Sequence, residues 1–260
     1  MTWNAVIFDW AGTMVDFGSL APVRALQAAF AQAGVALDDA EARHGMGLAK
    51  REHVAAILTL PQVHARWVAT HGAAADEARI DELYGSLEPR LIEAAASRSE
   101  LIPGAAAAAQ TLRARGLRLA STTGYTRSMM ASILAAAAHQ GYAPELVVCA
   151  GETKTGRPSP LMVWKALVEL GVWPAATVVK VDDAPVGVME GKSAGCFTVG
   201  VAASGTLLGL DLDDYHALPT DERGRRLALA REALEAAGAD LVIDTVADLP
   251  AALASRVPPE

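Results

Sequence analysis

Apolar and polar residues follow two different rhythms along this chain. Ala5–Trp10 is a short apolar run that ends in a polar loop, the pattern of a buried strand. From Pro22 the pattern turns helical: Pro22 suits a first helical turn, and Gly34 suits the position just past the end. Asp38 and Asp39 can cap a second helix, and a third begins around Gly47. Pro61 opens another, and Asp76–Ser97 reads as one more. Nothing between about Ser19 and Ser97 has the pattern of a strand, so this stretch reads as all-helical.

After Pro103-Gly104 the rhythm changes. The helical stretch Ala105–Arg115 leads into the apolar run Leu117–Ser121, and a helix from about Thr126 leads into Leu146–Cys149. Pro160–Leu170, Val178–Val181, Val186–Ala194 and Phe197–Val201 continue the alternation, and Thr220–Ala237 and Leu241–Asp244 add a last helix and strand. Short apolar runs separated by helices predict an α/β fold with a doubly wound parallel sheet of the Rossmann-like type. The helical stretch is then an insert after the first strand. The expected division is a core of 1–18 and 99–260 and a helical cap of 19–98.

Composition narrows the function. With 22 Lys+Arg against 30 Asp+Glu, the 260-residue chain carries a formal charge of -8. An acidic chain without a basic stripe speaks against nucleic acid as a partner. Apolar residues make up 52%, enough for a sizeable core. Cys149 and Cys196 are too few for a disulfide framework and lack zinc spacing, which fits a reducing compartment. The start Met1-Thr2-Trp3-Asn4 lacks the basic segment of a signal peptide, and no apolar run reaches the ~20 residues of a membrane span. A cytoplasmic protein without a membrane partner is expected.

In an open α/β sheet, ligands bind beyond the carboxyl ends of the strands. The first strand presents Asp9, then Trp10-Ala11-Gly12-Thr13. Later ones present Ser121-Thr122-Thr123-Gly124-Tyr125-Thr126 and Asp182-Asp183, with Gly156-Arg157-Pro158 in an intervening loop. Carboxylates at 9 and 183 could hold Mg²⁺, which takes one or two carboxylates plus a phosphate oxygen. Thr123, nearby N–H groups and Arg157 could hold the rest of an anion.

In this order and context, these residues resemble the haloacid dehalogenase superfamily of phosphotransferases. The insert looks like that superfamily's C1 cap. Most of its phosphatases carry Asp-x-Asp at the start, the second Asp serving as general acid and base, whereas position 11 here is alanine. Phe8-Asp9-Trp10-Ala11-Gly12-Thr13 is similar to one branch, the phosphonoacetaldehyde hydrolases. The similarity extends through Met46-Gly47-Leu48-Ala49-Lys50-Arg51-Glu52-His53, Ser121–Arg127, Gly156–Pro158 and Gly195–Gly209.

The resemblance implies a Mg²⁺-dependent cleavage of a C–P bond in a small phosphonate. Asp9 would attack phosphorus, and Lys50 would form a Schiff base with the aldehyde. His53 and Met46 would lie beside the lysine, with His53 aiding proton transfers through water. Gly47 would let the backbone come close. Thr123, Gly124, Tyr125 and Arg157 would bind substrate. The metal would be held by Asp9, the Ala11 carbonyl and Asp183. The resemblance also implies a homodimer through the cap.

One departure stands out. Related sequences commonly read Gly-Asp-x-x-x-Asp at the metal motif, whereas this chain has Asp182-Asp183-Ala184-Pro185-Val186-Gly187. Asp182 is expected to do the work of the carboxylate missing at 187. Taken singly, these residues have ordinary readings: Asp9 as a loop cap, Lys50 as a solvated helix lysine, Arg157 as a loop cation. Two rivals stay open. One is an ester phosphatase or phosphomutase of the same fold, against which Ala11 speaks. The other is a non-catalytic binder of phosphate metabolites, for which Gly187 speaks.

Overall fold

In the computed structural model, which describes residues 2–258, six strands form one parallel sheet in the order β3-β2-β1-β4-β5-β6. The strands are β1 (Ala5–Phe8), β2 (Arg118–Thr123), β3 (Leu146–Cys149), β4 (Val178–Asp182), β5 (Phe197–Val201) and β6 (Leu241–Ile243). β1 lies at the centre, with Phe8 opposite Ser121 on one side and Val181 on the other. Every residue of β1 is fully buried. Side chains alternate across a strand. Val6 and Phe8 accordingly join the larger apolar cluster, and Ala5 and Ile7 pack on the other face with Met162, Val163 and Ala166. A strand covered on both faces needs no polar alternation, which is why its sequence is a continuous apolar run.

Between β1 and β2 come α1 (Leu20–Gln32), α2 (Asp39–Arg43), α3 (Lys50–Thr59), α4 (Pro61–His71), α5 (Glu77–Ser97) and α6 (Ala105–Ala114). α1 packs on α5, and α3 on α4 and α5, so the insert has its own apolar seam. α6 belongs with the sheet, against β2. Asp38 caps α2 by accepting from Glu41 N, while the Glu41 side chain accepts from Asp38 N, a reciprocal capping box. The remaining helices are α7 (Arg127–His139), α8 (Leu161–Leu170), α9 (Pro185–Ala194), α10 (Leu212–Ala217), α11 (Thr220–Ala236) and α12 (Leu249–Ala254). No helix among the described residues is long and apolar enough to cross a membrane.

Three features depart from the sequence pattern. The first strand ends at Phe8 rather than Trp10. The Trp10 carbonyl instead accepts from the N–H groups of Thr13, Met14 and Val15, and its indole donates to Ser121 Oγ at 2.7 Å, so its apolar bulk serves packing. The third helix begins at Lys50 rather than near Gly47, whose φ of 92° no right-handed helix accommodates. α10 and α12 were not foreseen: α10 buries no residue, so it has no apolar stripe to read, and α12 spans only 6 residues.

Candidate active site

β2, β1 and β4 are neighbours, so their carboxyl ends open on one point of the sheet edge. This is the switch point where the chain winds in both directions from β1. Register then brings Asp9, the Thr122-Thr123 pair and Asp182-Asp183 together. The carboxylates of Asp9, Asp182 and Asp183 each place an oxygen within 4.8 Å of the others, and all three are buried.

Arg157 organises this floor. One terminal nitrogen meets Asp9 Oδ1 at 2.8 Å and Asp182 Oδ2 at 3.4 Å and donates to the Thr122 carbonyl at 2.8 Å. Its Nε donates to Glu190 Oε2 at 3.0 Å. Lys180, fully buried, approaches Asp182 Oδ2 at 2.5 Å and Glu190 Oε2 at 3.6 Å. Four buried carboxylates thus face two cations, a surplus of two negative charges.

That surplus shows in proton affinity. Burial, then the Asp182 charge, pushes the Asp9 carboxyl up to about 6 against the opposing pull of Arg157. Asp183 is pushed well up by burial and by Asp9. Burial acts on Asp182 too, but Arg157 and Lys180 hold it below its ordinary value. A divalent cation held by this carboxylate group would answer the imbalance. Hard oxygen donors of this kind suit such an ion. Ala11 lines the same cavity as Asp9 and Asp183, and the turn's N–H groups bond to the Trp10 and Val15 carbonyls rather than to its own. Thr206 N donates to Asp183 Oδ2 at 2.7 Å and fixes that carboxylate.

The insert forms the opposite wall. Gly47 presses its backbone against Ala184 and Val186, where a Cβ would meet Val186 at 2.6 Å, and Arg157 Nη1 donates to its carbonyl at 3.4 Å. Lys50 follows as the first residue of α3, 4% exposed, with Nζ 5.1 Å from the centre of the Tyr125 ring. Among the described residues no carboxylate pairs with it. Burial, helped by Arg157 and opposed by Asp9, lowers its pKa to about 8. A cation at a helix N-terminus is disfavoured in the same direction.

Floor and wall border a narrow, partly open cavity of about 20 Å³. Asp9, Ala11, Met46, Gly47, Lys50, Thr123, Gly124, Tyr125, Arg157 and Asp183 line it, joined by Ser19, Pro22 and Ala184. That is room for about one ordered water. Thr123 Oγ1 accepts from Tyr125 N at 3.1 Å, and the Tyr125 hydroxyl is buried without a partner among the described residues. Asp182 lies behind the floor rather than on the cavity wall. His53 lies one helical turn beyond Lys50 and is fully buried, outside the lining residues. Its Nε2 meets the Ala42 carbonyl at 3.0 Å, its Nδ1 has no hydrogen-bond partner among the described residues, and burial, then the nearby Lys50 charge, pushes its pKa well below the ordinary imidazole value.

Three contributors escaped the sequence reading: Lys180, Glu190 and Thr206. Lys180 left a signal, because it interrupts the apolar run Val178–Val181, and an ion in a fully buried strand needs partners. The unexpected Gly187 also finds its explanation here. A Cβ at 187 would overlap the Asp182 carboxylate, so Asp182 occupies the space a side chain at 187 would need.

Residues 3–195 match the haloacid dehalogenase-like hydrolase family. The phosphonoacetaldehyde hydrolase of Paraburkholderia phytofirmans is 51% identical over 95% of this chain and 92% of its own length. That of Hahella chejuensis is 43% identical over 96% of this chain and 85% of its own. The crystal structure of a phosphonoacetaldehyde hydrolase-like protein from Oleispira antarctica superposes with a TM-score of 0.95 at 41% identity, covering 100% of this chain and 96% of that one. With these relatives and with the α/β sheet and its helical cap, the chain belongs to the phosphonoacetaldehyde hydrolases of the haloacid dehalogenase superfamily.

Proposed function

We propose that this protein hydrolyses the C–P bond of phosphonoacetaldehyde to acetaldehyde and phosphate through two covalent attachments, one at Lys50 and one at Asp9. The observation that carries this reading is Lys50 itself: a buried amine without a carboxylate partner, in the same cavity as Asp9. A C–P bond has no bridging oxygen for an acid to protonate, so its carbon needs an electron sink. The neutral Lys50 amine adds to the aldehyde and expels water, giving an iminium ion. Asp9 Oδ attacks phosphorus, the C–P pair moves into the iminium, and an enamine and an acyl-phosphate result. Protonation of the enamine carbon and hydrolysis of the imine release acetaldehyde. Water then cleaves the acyl-phosphate to return Asp9.

The surrounding residues support each step. Arg157 holds Asp9 by Oδ1 and lines the cavity with Thr123 and Gly124, which supports its receiving the phosphonyl oxygens with them. Tyr125 presents its ring face to the Lys50 amine, 5.1 Å from its centre, and offers it no carboxylate to pair with. The unpartnered Nδ1 of His53, one turn along α3, is the acceptor we assign to proton transfer through water. Mg²⁺ is the ion proposed for Asp9, Asp183 and the Ala11 carbonyl, where it would draw charge from the phosphoryl oxygens. Asp182, fixed by Lys180, backs that site in place of a carboxylate at 187. The implied homodimer through the cap is open to a test by sedimentation.

The test is chemical. Protein incubated with phosphonoacetaldehyde and borohydride should carry a reduced two-carbon adduct on Lys50 and lose activity. Normal turnover with no lysine adduct overturns the imine. Equal turnover of a generic aryl phosphate would favour an ester phosphatase instead.

A further inference from the structure

The segment Gly195–Gly209 gives the site described above only the Thr206 N–H, and its end carries an unusual contact. Arg43, the last residue of α2 in the cap, reaches across to the core. Its Nη1 donates to the Gly18 carbonyl at 3.0 Å, to Thr206 Oγ1 at 3.0 Å and to the Thr206 carbonyl at 3.3 Å; its Nη2 donates to the Gly209 carbonyl at 3.1 Å. Among the described residues no carboxylate pairs with it. The loop is moulded to the guanidinium: a Cβ at Gly209 would sit 2.7 Å from the guanidinium carbon.

Thr206, gripped by Arg43 through its side chain and carbonyl, uses its N–H to hold Asp183 Oδ2 at 2.7 Å. The neighbouring contacts tie in the linker that enters the cap. Gly18 N donates to the Ser204 carbonyl at 2.8 Å, and Ser204 Oγ donates to the Gly12 carbonyl at 2.7 Å, beside Asp183. One residue therefore separates the cap from a carboxylate proposed to hold the metal. The geometry points to Arg43 as a positioning residue that latches the closed cap to the 204–209 loop and, through Thr206, couples closure to metal binding at Asp183. This rests on the Mg²⁺ reading of Asp9 and Asp183.

Coupling between two sites is reciprocal. If closure sets Asp183 for the ion, the ion must favour closure by the same factor. Two measurements on the full protein test this: Mg²⁺ affinity by calorimetry, and hydrogen exchange of the linker amides around Gly18 with and without Mg²⁺. In the wild type, Mg²⁺ should slow linker exchange. Arg43→Met should weaken Mg²⁺ binding about 5- to 20-fold, within the usual range of coupling factors, and abolish the Mg²⁺ effect on the linker. Thr206→Val, which keeps the N–H but loses the Oγ acceptor, should fall between, and Thr206→Ser should restore the wild-type values. Equal Mg²⁺ affinity in Arg43→Met and wild type overturns the coupling, as does a wild-type linker indifferent to bound Mg²⁺. A wild type that binds no Mg²⁺ overturns both coupling and metal assignment, while imine trapping at Lys50 tests the chemistry separately.

Discussion

Lys180 on the core floor and Lys50 on the cap wall are both nearly inaccessible, at 0% and 4% exposed. They differ in company. Lys180 has Asp182 at 2.5 Å and Glu190 at 3.6 Å. Lys50 has an aromatic face at 5.1 Å, and burial has brought its pKa down to about 8. A buried charge is expensive unless paired, and an unpaired one tends to neutralise. With partners, a lysine is a fixed charge that locks a carboxylate in place. Without them it is an amine ready to react. The core floor builds a permanent electrostatic frame, and in the proposed mechanism the cap brings the reactive group to it.

Position 50 should break this contrast most severely. Lys50→Arg keeps a cation of similar reach but cannot readily deprotonate to form an imine. We expect kcat for phosphonoacetaldehyde to fall by about 10⁴-fold, roughly 5 kcal/mol of barrier, and the borohydride adduct to vanish. Substantial turnover by Lys50→Arg would show that the amine is dispensable. Position 180 should fail differently. Lys180→Met leaves Asp182 and Glu190 short of a cation, and breaking a buried pair costs about 3–5 kcal/mol. Urea unfolding should show that loss. An unchanged midpoint would mean that Arg157 alone suffices for the floor.

The same contrast explains what the sequence made legible. Strand–helix alternation gave the parallel sheet because each strand is buried on both faces and reads as an apolar run. The floor residues Asp9, Thr123 and Asp183 were legible because they stand at strand ends, where the fold gathers ligands, whereas Lys50 opens a cap helix and was legible only through the family resemblance of its surrounding run. Lys180 and Asp182 stand two residues apart on β4, on one face of the strand, a local pairing the sequence does display, whereas Glu190 was harder to see, since its partners Thr122, Arg157 and Lys180 come from other elements and pairing across elements leaves no local pattern. Arg43 was invisible for a similar reason: its acceptors are mostly backbone carbonyls, which any sequence supplies. Gly187 looked like a loss until the structure put Asp182 in the vacated space.

The pH dependence sharpens the contrast. Folding lowers the Lys50 pKa from about 10.4 to about 8. Between those values the unfolded chain holds a proton that the folded one has released, so stability rises with pH across that window and is lost again as pH falls through about 8. At pH 7 the amine is protonated in both states, and the folded state bears the burial penalty. Lys50→Met should therefore stabilise the protein at pH 7 by up to about 3 kcal/mol, with the gain shrinking towards pH 10.5. This is opposite in sign to Lys180→Met. In the active enzyme, kcat/KM should climb to a plateau with an apparent pKa near 8, as the reactive neutral amine accumulates. Denaturant midpoints and rate profiles over that range check both, and a Lys50→Met protein less stable than wild type at pH 7 would mean that Lys50 is held by partners after all.

The smallest effect concerns what lets Lys180 keep its partner. Asp182 stands against the first turn of α9 because position 187 carries no side chain. Gly187→Ala should force the carboxylate away from Lys180, and overpacking of this kind costs about 1–3 kcal/mol. Elsewhere in a helix the same change is favourable by about 1 kcal/mol. The sign at 187 should thus depend on residue 182. In an Asp182→Ala background, where the overlapping carboxylate is gone, Gly187→Ala should be neutral or stabilising. The interaction between the two changes, measured by a double-mutant cycle in urea, should be about 1 kcal/mol or more, well above the ~0.5 kcal/mol scatter of independent sites. Strict additivity would place Asp182 somewhere other than over Gly187 and would remove the reason for treating it as the replacement for the carboxylate at 187.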